Sequence, residues 1–244
     1  MKAQENVPVI SVVIAAYNEE DNVEPLTRRI DQTFTKLKIP YEIIYVIEGT
    51  DQTVSRVQQL QKKYPIRYFY TEKPQGLANA SKKGFMAVSP KTKYILTMDA
   101  DLNHHPEEIP LFLQEAKEHN TDIIIGSRGV HGASTANIPK WKMLVSNIAN
   151  QTFKLITSIP VVDKTAGYKL YKREVIQHIA PYIKSRNFEF QVEILLLAKK
   201  FGYTMSEVPI TFTYRIHGKS KMSLIKTAYG CFVLLLKVLF RRTQ

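Results

Sequence analysis

One cysteine, Cys231, is all that this 244-residue chain contains, so no intrachain disulfide can staple it and a disulfide-built scaffold is excluded. A reducing, cytosolic setting fits that usage. Acidic residues are also short: 22 Asp+Glu stand against 34 Lys+Arg, a formal charge of +12. Long hydrophobic runs are missing as well. The longest uncharged stretch near the C-terminus, Thr227–Leu236, is half the ~20 residues needed to cross a bilayer. No secretion signal is expected, because Met1–Asn6 is polar and the apolar run Val7–Ala16 starts too early and ends in Tyr17-Asn18-Glu19. Internal repeats and low-complexity linkers are absent too. What is present is a hydrophobic fraction of 44%, enough to fill a core, which excludes global disorder. A chain of this length is expected to form one domain, since single cores stop growing near ~250 residues. Its basic excess leaves nucleic acid, an anionic membrane or a phosphorylated substrate as partners, beside a merely solubilising surface.

Two apolar patterns alternate through the first half. Short runs rich in Val and Ile predict strands buried on both faces at Val9–Ala15, Tyr41–Ile47, Arg67–Tyr70, Tyr94–Met98 and Asp122–Gly126. Between them, Val23, Leu26, Ile30, Phe34 and Leu37 recur at helical spacing, as do Val54, Val57 and Leu60, and Ile109, Phe112, Leu113 and Ala116. Gly76–Val88 is a fourth helix candidate. Strand, helix, strand at this spacing predicts an α/β fold with a mostly parallel sheet and crossover helices. Such sheets bind ligands beyond the carboxyl ends of their strands. The residues falling there are Tyr17-Asn18-Glu19-Glu20, Glu48-Gly49-Thr50-Asp51, Asp99-Ala100-Asp101 and Ser127-Arg128, a crowd of carboxylates in a basic chain.

The second half is less regular. Helices are expected over about Pro139–Ile159 and Asn187–Phe201, with a loop and short strand at Asp163–Lys172 between them. Val208–Tyr214 predicts another strand, pushed toward an edge by Pro209. The glycine-bearing loop Gly126–Asn137 is a candidate flap. From Ser223 to Phe240 the chain is apolar except for a narrow strip containing Ser223, Lys226, Gly230 and Lys237, continued by Arg241. That pattern predicts either a helix packed on the core or another copy, or a helix lying in a membrane interface with its basic residues near anionic headgroups.

Asp99 and Asp101 follow an apolar strand directly. Two carboxylates placed there can hold one hard divalent cation, which takes its remaining oxygens from water and a diphosphate. Asn103 could add an amide oxygen or hold a metal-bound water. His104 and His105 complete no zinc site, since adjacent side chains diverge and no Cys or His spacing joins them; they are read as loop residues. A nucleic-acid partner is not expected, because no recognition helix, aromatic platform or zinc module is present and the acidic strand ends would repel phosphate without a cation.

At this point the chain resembles the family 2 glycosyltransferases of GT-A fold, and within them the dolichyl-phosphate mannose synthases. The stretches that carry the resemblance are Val12-Val13-Ile14-Ala15-Ala16-Tyr17-Asn18-Glu19, Tyr41-Glu42-Ile43-Ile44 and Met98-Asp99-Ala100-Asp101-Leu102-Asn103-His104-His105-Pro106. They continue in Gly126-Ser127-Arg128, Asp163-Lys164-Thr165-Ala166-Gly167-Tyr168-Lys169-Leu170-Tyr171 and Arg215-Ile216-His217-Gly218-Lys219-Ser220-Lys221. The family's order is kept over nearly the whole chain. The resemblance implies a catalytic domain over residues 1–215, then an acceptor loop and amphipathic helix over 216–244.

It also implies roles for residues. Ala15, Tyr17, Glu19, Val46 and Glu48 would bind the nucleotide, together with Asp99, Ala100, Asp101 and Asn103. Asp99, Asp101 and Asn103 would hold Mg²⁺ or Mn²⁺ on the donor diphosphate. Arg128, Arg215 and Lys221 would meet the phosphates, with Ser220 beside them and Asp163 in support. Two departures stand out: Ala15 replaces a proline, and Ile47-Glu48 replaces the Asp-Asp pair of the second loop, which leaves base and sugar open. The implied reaction is inverting transfer of mannose from GDP-mannose to dolichyl or another polyprenyl phosphate. Another donor, such as UDP-glucose, and a non-catalytic nucleotide-sugar-binding protein remain as alternatives. A lipid acceptor and the absence of a spanning run place the chain peripherally on the cytoplasmic face of a membrane, held by its own helix or by an anchoring subunit.

Overall fold

A computed structural model describes residues 9–214 and 229–236. In chain order the strands are β1 (Ile10–Tyr17), β2 (Tyr41–Glu48), β3 (Ile66–Thr71), β4 (Tyr94–Thr97), β5 (Ile123–Ser127), β6 (Ser134–Ala136), β7 (Lys169–Lys172), β8 (Met205–Pro209) and β9 (Thr211–Thr213). The helices are α1 (Val23–Leu37), α2 (Thr53–Gln61), α3 (Leu77–Ala87), α4 (Ile109–His119), α5 (Lys140–Thr157), α6 (Arg173–Ile179) and α7 (Phe190–Lys200). Residues 229–236 form a further helical segment.

The main sheet has seven strands in the order β3-β2-β1-β4-β7-β5-β8. All its pairings are parallel except those of β7, which runs antiparallel between β4 and β5. Alternate residues of each central strand feed opposite cores, as a strand's period of two requires. Val12, Ile14, Ile43 and Tyr45 pack with Leu26, Ile30, Phe34 and Phe112 on one side. Val13, Ile44 and Ile95 pack with Phe85, Phe153, Ile176 and Leu195 on the other. The result is the three-layer α/β sandwich that the alternation of runs predicted, with every loop after β1, β2 and β4 opening on one edge.

The first five strands and four helices fall where periodicity placed them, within a residue or two at each end. Three expectations from the second half are corrected. Val208–Tyr214 is not one strand: β8 pairs with β5 at the sheet edge and ends at Pro209, while β9 leaves to pair with β6 in a separate two-stranded ribbon. The candidate flap Gly126–Asn137 therefore contains a paired strand, a contact that only tertiary structure brings about. The helix expected from Asn187 begins at Phe190, because Glu189 Oε1 accepts hydrogen bonds from the Arg186 and Asn187 N–H groups and holds those residues in a turn. Helix α6 carries too short an apolar pattern to have been foreseen. Among the described residues no helix is long and apolar enough to cross a membrane.

Candidate donor and acceptor site

The loops after β1 and β2 are locked together by side-chain caps. Asn18, with φ 52°, turns its Oδ1 to accept the Thr50 and Asp51 N–H groups at 2.9 and 3.3 Å. A left-handed backbone suits Asn, which tolerates it better than most residues. Opposite it, Gly49 (φ +108°) passes so close that a Cβ would lie 2.0 Å from Asn18 Oδ1, so only glycine fits. Asp51 accepts from the Glu20 and Thr53 N–H groups, and Glu20 returns a bond from the Gln52 N–H. These acids are therefore not a diffuse negative surface; most of them are caps for backbone donors.

Within that frame, Tyr17 is part-exposed at the end of β1, in register with the buried Glu48. Glu19 accepts from Asn22 Nδ2 at 2.6 Å. Glu48 Oε1 accepts the Gln75 N–H at 3.0 Å and so fixes the approach to α3. Val46 is buried in β2, and Ala15 faces a narrow cleft that it shares with Asp99, Gly167 and Gln191.

β4 ends at Thr97, one residue earlier than expected, and the chain curls so that Asp99, Ala100 and Asp101 lie in a turn closed by Leu102 at φ 63°. Asp101 accepts from the Asn103 N–H and from Asn103 Nδ2, the latter at 2.8 Å. That leaves Asn103 Oδ1 buried and without a hydrogen-bond partner. Gly167 backs Asp99 closely, and a Cβ there would sit 3.0 Å from Asp99 Oδ1. Two carboxylates and an orphaned amide oxygen form an oxygen-only donor set suited to a hard divalent cation. No group of three or more His, Cys, Asp or Glu with metal-binding geometry occurs among the described residues, so such a cation would draw further oxygens from a diphosphate and water.

His104 is a loop residue but not a solvated one. Only 2% exposed, it stacks on Tyr168 at 5.0 Å and meets the edge of Phe212. Burial pushes its pKa down to about 4, with Asp101 pulling the other way, so the imidazole is neutral near pH 7. Its Nδ1 accepts the Asp99 N–H at 3.2 Å, which places the ring proton on Nε2 and ties the acidic turn to the core. His105 bonds Arg29 and Thr213.

Beyond β5, Arg128 donates through Nε and Nη2 to both oxygens of Asp163, at 2.6 and 2.8 Å, and through Nη2 to Thr165. Burial opposes both charges, yet each holds the other ionised: Asp163 lies at about 2 and Arg128 is raised. Arg128, expected to meet the phosphates, has its Nε and Nη2 on Asp163, and Nη1 makes no hydrogen bond within the described chain. Glu207 and Asn150 in turn hold the backbone of 162–164. Arg215 and Lys221, the other expected phosphate cations, lie outside the described residues, as do Ser220 and most of Ser223–Phe240.

Sequence reasoning missed two features. Lys169 is fully buried inside β7, and burial pushes its pKa down to about 7 against the raising effect of Asp163 and Asp99. A lysine between Tyr168 and Leu170 in a strand was the available signal, since charged residues are almost never fully buried unless paired. The second is an apolar stripe on α5. Leu144, Ile148 and Leu155 are 60%, 56% and 82% exposed, and lie within about 40° of one another on a helical wheel, opposite the buried Phe153. Tyr229 and Phe232 are exposed on the segment 229–236, whereas Leu234 is buried. Gly230, expected on the polar strip, packs against Glu189, where a Cβ would fall 2.6 Å from Cδ.

Known proteins share both the sequence and the shape. Dolichol-phosphate mannosyltransferase of Pyrococcus furiosus is 35% identical over 218 residues, 87% of this chain and 59% of that protein. The chain thus spans under two thirds of that relative's length. Polyprenol monophosphomannose synthase of Mycolicibacterium smegmatis is 32% identical over 217 residues, 87% of this chain and 80% of the relative. Among solved structures, glucosyl-3-phosphoglycerate synthase from Mycobacterium tuberculosis, crystallised with Mn²⁺, UDP and glucosyl-3-phosphoglycerate, superposes with a TM-score of 0.69. It is 17% identical, and the match covers 96% of this chain and 80% of that one. Mannosyl-3-phosphoglycerate synthase from Rubrobacter xylanophilus gives 0.66 at 15% identity, over 96% and 74%. These likenesses bear out the GT-A fold. The profile of Glycosyl transferase family 2 matches residues 11–180, which contain β1 to β5, the acidic turn, Arg128 and Asp163; the chain belongs to that family.

Proposed function

We propose that the protein transfers mannose from GDP-mannose to dolichyl or another polyprenyl phosphate at a membrane surface, inverting the anomeric centre. The observation that carries this reading is the oxygen set of Asp99, Asp101 and Asn103 on the turn after β4, with the Arg128–Asp163 pair across the site. It is supported by the relatives' names and by the Mn²⁺ and Mg²⁺ in glucosyl-3-phosphoglycerate synthase structures. Asp99, Asp101 and Asn103 would hold Mg²⁺ or Mn²⁺. Such an ion, when bound, neutralises the diphosphate and makes it a better leaving group.

The rest is done by this chain. Tyr17, Glu19 and Glu48 line the nucleotide side, on loops already frozen by Asn18 and Asp51. Arg128, fixed by Asp163, offers Nη1 to an acceptor phosphate, and Arg215 and Lys221 are proposed as further cations. The second pKa of a phosphate monoester lies near ~6, so the acceptor is largely dianionic at neutral pH. No side chain has to remove a proton. The phosphate oxygen attacks C1, the C1–O bond to the diphosphate breaks, and an α-linked donor gives a β-linked product. The residues contribute alignment and charge compensation.

The stripe Leu144, Ile148 and Leu155, with Tyr229 and Phe232, suits attachment to a lipid surface, where the polyprenyl chain resides. A membrane subunit covering the same stripe is the alternative anchor. One observation favours a second reading of the donor: Glu48, already bonded to Gln75, and Ile47 replace two aspartates. Purified protein given labelled GDP-mannose or UDP-glucose with polyprenyl phosphate separates the readings. Lipid-linked mannose, abolished by EDTA, is expected; glucose transfer alone overturns the donor assignment.

A further inference from the structure

The cleft beneath Asp99 is lined by the further polar side chains of Ser81, Thr97 and Gln191. Gln191, near the start of α7, lines it together with Ala15, Ser81 and Gly167. Behind Gln191 stands Lys169. From the start of β7, opposite Thr97 on β4 and Ile125 on β5, its Nζ donates to the Ala166 carbonyl and, at 2.6 Å, to Gln191 Oε1. Nζ donates in this bond, so the carboxamide gives it oxygen and turns its NH₂ the other way. Nε2 makes no hydrogen bond within the described chain. Thr97 Oγ1 meanwhile donates to the Gly167 carbonyl at 2.8 Å, so the 166–167 turn that presses on Asp99 is gripped from two strands.

An ammonium is a costly way to fill that space. A methionine would occupy a similar volume without the loss of hydration. The cost is explained if Lys169 fixes the orientation of its partner. Sheet order then says what that partner meets. The loops assigned to the nucleotide follow β1 and β2, the acidic turn follows β4, and Gln191 is bonded to Lys169 of β7, the next strand beyond β4. A sugar nucleotide laid base-first across this edge places its diphosphate at Asp99 and Asp101 and its sugar next to Gln191.

We propose that Gln191 is a specificity-determining residue whose Nε2 donates a hydrogen bond to a hydroxyl oxygen of the transferring sugar, and that Lys169 is the positioning residue that aims it. This rests on the reading of the protein as a sugar-nucleotide transferase. Calorimetric titration of the full chain with GDP and with GDP-mannose, in the presence of Mg²⁺, tests both. Gln191→Met is expected to weaken GDP-mannose about tenfold while leaving GDP within about twofold. Lys169→Met should give the same sugar-selective loss, since Gln191 is present but no longer held. If either single variant fails to fold, the double variant Lys169→Met/Gln191→Met, which leaves neither side chain of the pair stranded, gives the same readout. Equal weakening of both ligands, or of neither, overturns the sugar contact and leaves the transferase standing. A wild type that binds neither ligand overturns the transferase reading itself.

Discussion

On the β1–β2 side of β4, carboxylates are held by backbone N–H groups; on the far side, buried cations are held by carboxylates and carbonyls. Asn18, Glu20 and Asp51 cap the turns after β1 and β2 and tie together two loops 31 to 33 residues apart in sequence. Arg128 and Lys169 instead reach Asp163 and Gln191, while Lys164 and Lys169 also bond the nearby Val161 and Ala166 carbonyls. The first arrangement is inexpensive, since its side chains bond backbone donors at the surface and one such hydrogen bond adds about 1 kcal/mol. The second buries charge, and removing one partner strands the other at a cost of about 3–5 kcal/mol. Failures should therefore differ: gradual loosening on the first side, abrupt loss on the second.

The largest expected effect lies at the junction of the two halves. Asp99→Asn should lower transfer by about 10²–10³-fold in a steady-state assay, because an electrostatic group aimed at the leaving diphosphate is lost. Its melting temperature should stay near wild type, as Asp99 is not a core residue. On the cation side, Asp163→Asn should cost about 3 kcal/mol in urea unfolding. The sign with pH follows from the depressed native pKa of about 2 against an ordinary 3.8. The pair's stabilisation is complete above pH 3.8 and is lost as pH falls toward 2, so the gap between wild type and variant should close over that interval.

On the carboxylate side, Asn18→Ala should cost only about 1–2 kcal/mol, with the loss seen chiefly as a raised KM for the sugar nucleotide. A fall in kcat without a change in KM would mean that the loops act on chemistry rather than binding. The smallest effect on stability belongs to the outer face of α5. Replacing Leu144, Ile148 and Leu155 with Ser should shift unfolding by under about 0.5 kcal/mol each, since all three are exposed. Sedimentation with anionic vesicles should nevertheless fall several-fold. Unchanged sedimentation would remove α5 from the membrane surface.

What could be read in advance divides instead by distance along the chain. The positions of β1 to β5 and α1 to α4 follow from apolar periodicity, and Asp99 and Asp101 from their place after an apolar strand. Those signals lie within a few residues of what they specify. The partner of Arg128 lies 35 residues away and that of Lys169 lies 22 away, and no period encodes such pairs. β9 is separated from β8 by Ile210 alone, and its departure to β6 is decided by where Ser134–Ala136 lies in space. His104 was legible as part of a loop, but its burial depends on Tyr168, just before β7, and Phe212 of β9. The exposed stripe on α5 was hidden for a different reason. Its residues are the same types that fill a core, and only the position of Phe153 tells one face from the other.

The central claim is that Asp99 and Asp101 hold the ion that carries the donor diphosphate. Crystals soaked with Mn²⁺ and GDP-mannose, with anomalous data collected at the manganese edge, test it directly. A single peak between the two carboxylates, touching the diphosphate, is the predicted result. Bound donor with the peak elsewhere, or with none, would contradict it.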